Sequence, residues 1–152
     1  MTERYKKSTE LLRRSLKVIP TGSQTFSKSY TQYPVGLSPL FLDRGKGGRV
    51  WDVDGNEYVD LISGLLPIVL GYCDPDVDDA IKRQLQKGII FSLPSILETE
   101  LAEKLIRLIP CAEMVRFGKN GTDATSAAIR LARAYTGKDQ VIALGYHGWQ
   151  DW

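Results

Sequence analysis

A short apolar stretch, a glycine loop and an alanine-rich run follow one another in the last third of the chain. Residues 114–117 are Met-Val-Arg-Phe and predict a buried strand, and residues 118–123 are Gly-Lys-Asn-Gly-Thr-Asp. The alanine-rich run that ends at Gly137 predicts a helix of about 123–136. Unpaired backbone N–H groups and the positive end of the helix dipole converge at such a junction. A phosphate-bearing ligand is therefore the first hypothesis for this segment.

A second strand is predicted at residues 141–144, after Gly137, which is suited to end the helix. The order strand, helix, strand implies parallel strands joined by a right-handed crossover. The loop Gly145-Tyr-His-Gly148 would then open at the same carboxyl edge of the sheet as the first loop. Ligands of open α/β sheets bind along that edge, so both loops are expected to face one site.

The N-terminal part predicts one helix and an antiparallel meander. The helix is expected from about Glu10 to Ile19, because Leu12, Leu16 and Ile19 share one face. Residues 23–39 show no periodicity, and long irregular loops in compact proteins are often functional.

Three strands are predicted next, at residues 40–43, 49–52 and 57–62. Asp54-Gly55 lies between the last two and is a hairpin signal, which suits a type I′ turn.

Two further helices have clear start signals. Asp74 is a candidate N-cap with Pro75 in the first helical turn, and Ser95 with Glu98 has the spacing of a capping box. Gly88 and Pro110 are expected to end these helices.

The composition is that of an ordinary globular protein: 152 residues, 43% hydrophobic, 25% charged, net charge +2. This charge does not imply a nucleic-acid or membrane partner, and no apolar run approaches the roughly 18 residues of a membrane span. Cys73 and Cys111 lie far apart without metal-type spacing, so free thiols in a reducing, cytoplasmic compartment and no metal site are expected.

The glycine loop offers three candidate ligand-binding residues. Gly121 has no Cβ, so its backbone can approach an anion closely, and Asn120 and Thr122 offer side-chain donors. A capped helix after a strand explains the same residues without a ligand, and both interpretations stay open. Asp123 is expected to point outward and to favour the helix dipole. The loop is not a P-loop, because Lys119 precedes the second glycine.

The second loop carries Tyr146 and His147. Tyr146 is suited to stack on a flat heteroaromatic ring, whereas His147, the single histidine of the chain, fits a base, a ring contact or a structural hydrogen bond. A phosphate loop beside an aromatic loop suggests a phosphorylated aromatic cofactor.

Several short motifs occur in an order that a known family shares. They are Val59-Asp60, Pro67-Ile-Val-Leu-Gly71, Pro75, Asn120-Gly-Thr-Asp-Ala124, Ile129-Arg-Leu-Ala-Arg133, Tyr135-Thr-Gly137 and Tyr146-His-Gly148. From about Arg13 to Gly148 the chain resembles the N-terminal part of the class III pyridoxal-phosphate aminotransferases. The branch it resembles is that of glutamate-1-semialdehyde aminomutase and its sugar-pathway relatives.

The resemblance implies an α/β fold of the fold-type I PLP-transferase kind. Residues 1–93 would supply the N-terminal helix, irregular loop and β-meander of the small domain, and residues 94–152 the start of the PLP-binding large domain. This large domain is expected to be incomplete, and the chain is expected to be the front part of a longer homodimeric enzyme.

The resemblance also implies roles for residues. Asn120, Gly121 and Thr122 would hold the phosphate of pyridoxal 5′-phosphate, with Tyr146 against the ring and His147 beside it. The Schiff-base lysine and the acid that pairs with the ring nitrogen are expected beyond position 152. No catalytic residue is therefore assigned within the chain, which is expected to be inactive alone. The partners would be a small-molecule amino donor and a keto or aldehyde acceptor.

Five residues depart from the aminomutase pattern. Lys28 replaces an arginine that pairs with the substrate carboxylate, Gly64-Leu65 replaces a serine–tryptophan pair, Tyr72 replaces a histidine, and Asn120 replaces a serine. These changes leave the substrate open, with a keto-sugar or a related metabolite as one candidate. The first hypothesis is an aminotransferase; the alternatives are the aminomutase, a non-catalytic interaction module because the lysine is absent, and a nucleotide-binding domain, whose glycine fingerprints are incomplete.

Overall fold

The computed structural model describes residues 3–146 and 148–149 of the chain. These residues fall into two compact units, Met1–Ile89 and Ile90–Trp152. Within the described residues, no helix is both long enough and apolar enough to cross a lipid bilayer.

The first unit contains two α-helices and a three-stranded sheet. Helix α1 spans Lys6–Ser15, the strands are β1 (Leu42–Lys46), β2 (Arg49–Asp52) and β3 (Glu57–Val59), and α2 spans Pro75–Leu85. The sheet order is β1-β2-β3 and both pairs are antiparallel, which confirms the meander. Between α1 and β1 the chain makes short 3₁₀ turns at Pro20–Gly22, Phe26–Lys28 and Tyr30–Gln32.

The hairpin between β2 and β3 is where the sequence places it, but its turn is not type I′. Gly55 has a positive φ of 91°, whereas Asp54 is not in the left-handed region, which a type I′ turn requires of both central residues. The Gly55 amide donates to the Asp52 carbonyl at 3.0 Å, and the Asp52 amide donates to the Asn56 carbonyl at 3.0 Å. The connection is therefore longer than two residues, and the Asp54 side chain is turned toward α1.

Helix α1 starts and ends four residues earlier than predicted. No side chain of its own segment caps it; instead Asp54 accepts hydrogen bonds from the backbone amides of Lys7 at 2.7 Å and Ser8 at 3.0 Å. These are two of the orphan donors of the first helical turn. Burial alone would raise the pKa of Asp54, but the hydrogen bonds from Ser8 and Lys7 prevail and lower it. A distant hairpin thus decides where this helix begins.

A buried carboxylate lies at the centre of the first unit. Asp52 is 2% exposed, and the buried hydrophobic side chains of the same unit are Tyr5, Leu12 and Val50. Oδ1 of Asp52 accepts from the amides of Asp54 at 3.0 Å and Asn56 at 2.8 Å. Oδ2 accepts from Asn56 Nδ2 at 2.8 Å and from the Tyr58 hydroxyl at 2.9 Å. Four donors therefore satisfy this charge away from water.

The start signals of α2 and of α3 (Ile96–Leu108) are confirmed. Asp74 accepts from the amides of Asp76 and Val77, each at 3.1 Å, and Pro75 occupies the first turn. Ser95 and Glu98 form the expected capping box. The second unit continues with α4, Gly121–Thr136, which ends at Gly137 in the left-handed conformation, as predicted.

The prediction of strands at residues 114–117 and 141–144 is wrong, because neither segment pairs with another strand among the described residues. The structure assigns neither segment to a strand. Met114 is 91% exposed and Ile142 is 99% exposed. A strand exists only when a neighbour supplies the opposite hydrogen-bonding groups, and among residues 3–146 and 148–149 these segments find none. Apolar patterning predicted their burial but not the presence of a partner.

Candidate functional site

Helix α4 begins in the conformation that an anion site requires. Asn120 is its N-cap with extended backbone (φ −130°, ψ 165°). The Asp123 side chain does not point outward as expected. It turns back, and its Oδ2 accepts from the amides of Lys119 and Asn120, each at 3.0 Å. The carboxylate therefore holds the loop in shape, and its charge is directed at the preceding backbone rather than away from the helix.

Two amides of the first turn remain available. The backbone N–H groups of Gly121 and Thr122 donate to no group within the described part of the chain. Gly121 is exposed, and a Cβ built on it would meet nothing within 4 Å. Free amides at the N-terminus of a 16-residue helix fit a phosphate ester, since they offer N–H donors and the positive end of the dipole together.

The second loop lies directly against this turn. The Trp149 amide donates to Thr122 Oγ1 at 3.4 Å, although these residues are 27 positions apart. Gly148 lies over the same hydroxyl. Tyr146, two residues before Gly148, is 88% exposed, so its ring is not committed to the core of the unit. The structure thus brings Thr122 together with the loop of Tyr146. His147 lies outside the described residues.

Gly148 is a residue whose individual importance the sequence did not reveal. The sequence indicates it only as the last residue of the loop Gly145-Tyr-His-Gly148 and of the motif Tyr146-His-Gly148. Glycine is common in loops and does not by itself indicate a contact. No pattern of neighbouring residues indicates that Gly148 lies against the Thr122 hydroxyl, which belongs to a helix much earlier in the chain.

Lys28, the candidate substrate residue, belongs to the first unit. It is exposed and lines a cavity of about 590 Å³, most of whose walls are apolar or aromatic. Other residues of the wall include Tyr33, Phe41, Tyr58, Ile62 and Tyr72. The Lys28 ammonium in the wall of a mainly apolar cavity is suited to an organic anion, such as a carboxylate on a carbon skeleton, because the Asp60 carboxylate in the same wall already accepts a hydrogen bond from Tyr72.

Tyr72 has a structural partner in the same cavity wall. Its hydroxyl donates to Asp60 Oδ2 at 2.6 Å, and its ring covers Gly45 so closely that a Cβ there would overlap it. Asp60 Oδ1 accepts from the amides of Ile62 at 2.9 Å and Ser63 at 3.1 Å. The Tyr72 hydrogen bond lowers the pKa of Asp60 against the opposing effect of burial, and Asp60 in turn raises the pKa of Tyr72.

Replacing Tyr72 with phenylalanine is expected to reduce the free energy of unfolding by about 1–2 kcal/mol at neutral pH. This is the lower part of the range for a hydrogen bond to a charged group, because Asp60 and Tyr72 are both half-buried and solvent screens their interaction. An aspartate with a lowered pKa stabilises the fold above its unfolded pKa, and this stabilisation is lost as the pH falls through the folded value. A tyrosine with a raised pKa stabilises below its unfolded pKa, and this is lost as the pH rises through the folded value.

Unfolding by urea from pH 3 to pH 11 measures both effects. The Tyr72→Phe variant should lose less stability than the parent at each end of this range, because the linked titrations are reduced on the acid side and absent on the alkaline side. Tyr33→Phe is the control for a tyrosine on the same cavity. Coincident curves for Tyr72→Phe and the parent would show that the Asp60–Tyr72 hydrogen bond contributes no stability, and parallel but offset curves would show that it does not couple stability to pH.

Comparisons with known proteins show which family the chain resembles. The family model described as aminotransferase class-III matches residues 30–151. The 3-aminobutyryl-CoA aminotransferase of Cloacimonas acidaminovorans is 45% identical over 155 residues, which cover 100% of this chain and 37% of that protein. The glutamate-1-semialdehyde 2,1-aminomutase 2 of an Exiguobacterium species is 42% identical, over 99% of this chain and 35% of that protein.

A solved structure extends the comparison to the fold. A transaminase with PLP bound aligns with a TM-score of 0.86 and 35% identity, covering 95% of this chain and 34% of that one. The α/β fold of the PLP-transferase kind is thereby confirmed, although the strands expected at 114–117 and 141–144 are not paired here. The chain spans about a third of the length of the curated relatives it matches. By its sequence over residues 30–151, the chain belongs to the class III aminotransferase family.

Proposed function

We propose that this chain forms the phosphate-binding part of a pyridoxal-phosphate-dependent aminotransferase. The observation that carries the proposal is the pair of free amides at Gly121 and Thr122, with the Tyr146 loop held against Thr122. Family membership and the PLP in a related solved structure support the choice of cofactor. When bound, the cofactor supplies a ring that takes up electrons from the substrate carbon during amino-group transfer.

The proposed roles of the residues follow from their chemistry. The amides of Gly121 and Thr122 bind the phosphate, and Asn120, extended and tied to Asp123, holds the turn that presents them. Tyr146 lies against the flat face of the ring, and His147 lies beside it. Lys28 pairs with an anionic group of the amino donor or of the keto or aldehyde acceptor. The lysine that bonds to the cofactor is proposed to lie beyond position 152, in the part of the relatives' length that this chain does not match.

The proposed complete enzyme contains these 152 residues and a further segment that corresponds to the remaining two thirds of its relatives' length. We propose that it works in the cytoplasm as a homodimer, as the resemblance implies. Cys73 and Cys111 are unpaired and exposed, which suits a reducing compartment.

Thr122→Ala in the complete enzyme is expected to weaken PLP binding by about 1–3 kcal/mol, because a donor to a charged group is lost from the loop. Fluorescence titration of the apoenzyme with PLP measures the change. Thr122→Ser keeps the hydroxyl and should bind nearly as the parent does, and Thr136→Ala changes the opposite end of α4 as a further control. Unchanged affinity in Thr122→Ala would remove this side chain from the proposed site.

An aminomutase is the second candidate, because the Exiguobacterium relative at 42% identity carries that name. Transfer within one molecule needs no separate amino acceptor, whereas the aminotransferase does. Multiple-turnover assays of the complete enzyme with and without a keto acid therefore separate the two, because only the aminotransferase stops after one half-reaction when no acceptor is supplied. A complete enzyme that binds no PLP at all would instead favour the non-catalytic interaction module.

A further inference from the structure

Gly148 approaches α4 more closely than a side chain would allow. A Cβ built on Gly148 would overlap Thr122 Oγ1 and would lie 3.4 Å from Thr122 Cβ and 3.5 Å from its Cα. The next residue, Trp149, donates its amide to the same Oγ1 at 3.4 Å. In both contacts the loop approaches the threonine with backbone atoms.

A larger residue at this position has two ways to relieve the overlap. The loop can move away from α4, or the threonine can rotate about χ1. Rotation moves the hydroxyl away from Gly148 and puts the methyl group or the hydrogen of Cβ in its place. Either response breaks the hydrogen bond between Trp149 and Thr122.

Gly145 provides a comparison within the same loop. Gly148 has a φ of 97° and Gly145 a φ of 84°, so both are in the region that favours glycine. A Cβ on Gly145, however, would meet nothing within 4 Å. Alanine at Gly145 therefore introduces backbone strain only, whereas alanine at Gly148 introduces similar strain and the overlap with Thr122.

We infer that Gly148 is a positioning residue: its missing side chain lets the aromatic loop dock on Thr122, which sets the distance between the phosphate-binding amides and the ring of Tyr146. This inference rests on the proposed function for its ligand. Gly148 acts through Thr122 and Trp149 and takes no part in the chemistry itself. A ligand with both a phosphate and a ring would depend on this distance, whereas inorganic phosphate would not.

The test uses the complete enzyme without cofactor and four variants: Gly148→Ala, Gly145→Ala, Thr122→Ala and the double variant Thr122→Ala/Gly148→Ala. PLP affinity is measured by fluorescence titration, and inorganic phosphate affinity by competition. Gly148→Ala should weaken PLP binding at least tenfold, and Gly145→Ala less than threefold. Inorganic phosphate affinity should change less than threefold in both. Adding Gly148→Ala to Thr122→Ala should weaken PLP binding less than threefold further.

Equal losses of PLP affinity in Gly145→Ala and Gly148→Ala, or a tenfold further loss in the double variant, would overturn the inference. A parallel tenfold loss for inorganic phosphate would also overturn it, because the change would then be a general disruption of α4.

Failure of the proposed function gives a different result. If the parent enzyme binds no PLP, the urea midpoints of the same five proteins still test the contact. Gly148→Ala should lower the midpoint more than Gly145→Ala does, and Thr122→Ala should remove that difference. Absence of this coupling would overturn the docking of the loop on Thr122, whatever ligand the site binds.

Discussion

Gly121→Pro in the complete enzyme is expected to weaken PLP binding by about 2–3 kcal/mol, or about 30- to 150-fold, with helix α4 intact. Proline deletes the amide proposed to donate to the phosphate, and its ring occupies the place of that proton. The helix tolerates the change because Gly121 is the first residue of α4, where proline is favoured. Asn120 is already extended, as the residue before a proline prefers to be.

Gly121→Ala is the control that distinguishes the loss of the backbone N–H group from the addition of side-chain atoms. It keeps the N–H group and adds a Cβ that meets nothing within 4 Å, so PLP affinity should stay within about threefold of the parent. Circular dichroism checks the helix content of both variants, and fluorescence titration measures their affinity. Parental PLP affinity in Gly121→Pro would show that this amide does not bind the cofactor, and the anion-site proposal would fail.

Asp52→Ala is expected to reduce the free energy of unfolding of the first unit by about 3–5 kcal/mol. The substitution leaves two backbone amides, the Asn56 side chain and the Tyr58 hydroxyl without their acceptor in a buried position. Burial and the hydrogen bonds to Tyr5 and Asp52 raise the pKa of Tyr58, so its proton stays in place to donate. Urea unfolding followed by tryptophan fluorescence, to which Trp51 in β2 contributes, and by circular dichroism measures the loss.

Two substitutions serve as controls for Asp52→Ala. Asp52→Asn keeps one oxygen for the two backbone amides and should lose clearly less stability than the alanine variant. Asp43→Ala removes an exposed carboxylate from β1 of the same sheet and should change stability by less than about 0.5 kcal/mol. A loss for Asp52→Ala as small as that for Asp43→Ala would mean that the hydrogen-bonded carboxylate does not organise this unit.

Local signals predicted the features whose partners are close in the chain. The Asp74 cap, the Ser95–Glu98 capping box and Gly137 as the end of α4 each depend on residues within four positions of one another. The free amides at Gly121 and Thr122 belong to the same class, because the first turn of any helix leaves its donors unpaired. The family-specific motifs indicated which cofactor to expect, because the N-terminus of a helix indicates only that an anion can bind there.

The sequence by itself therefore determined the helices with local caps, the antiparallel meander, the helix turn that we propose binds an anion, and the family of the chain. Only the tertiary structure decided that Asp54 caps α1 from 46 residues away and that Gly148 docks on Thr122. Tertiary structure also decided that residues 114–117 and 141–144 are not paired as strands. The physical reason is the same in each case: a contact between distant segments depends on chain geometry and on an available partner, and neither is encoded in the pattern of neighbouring residues.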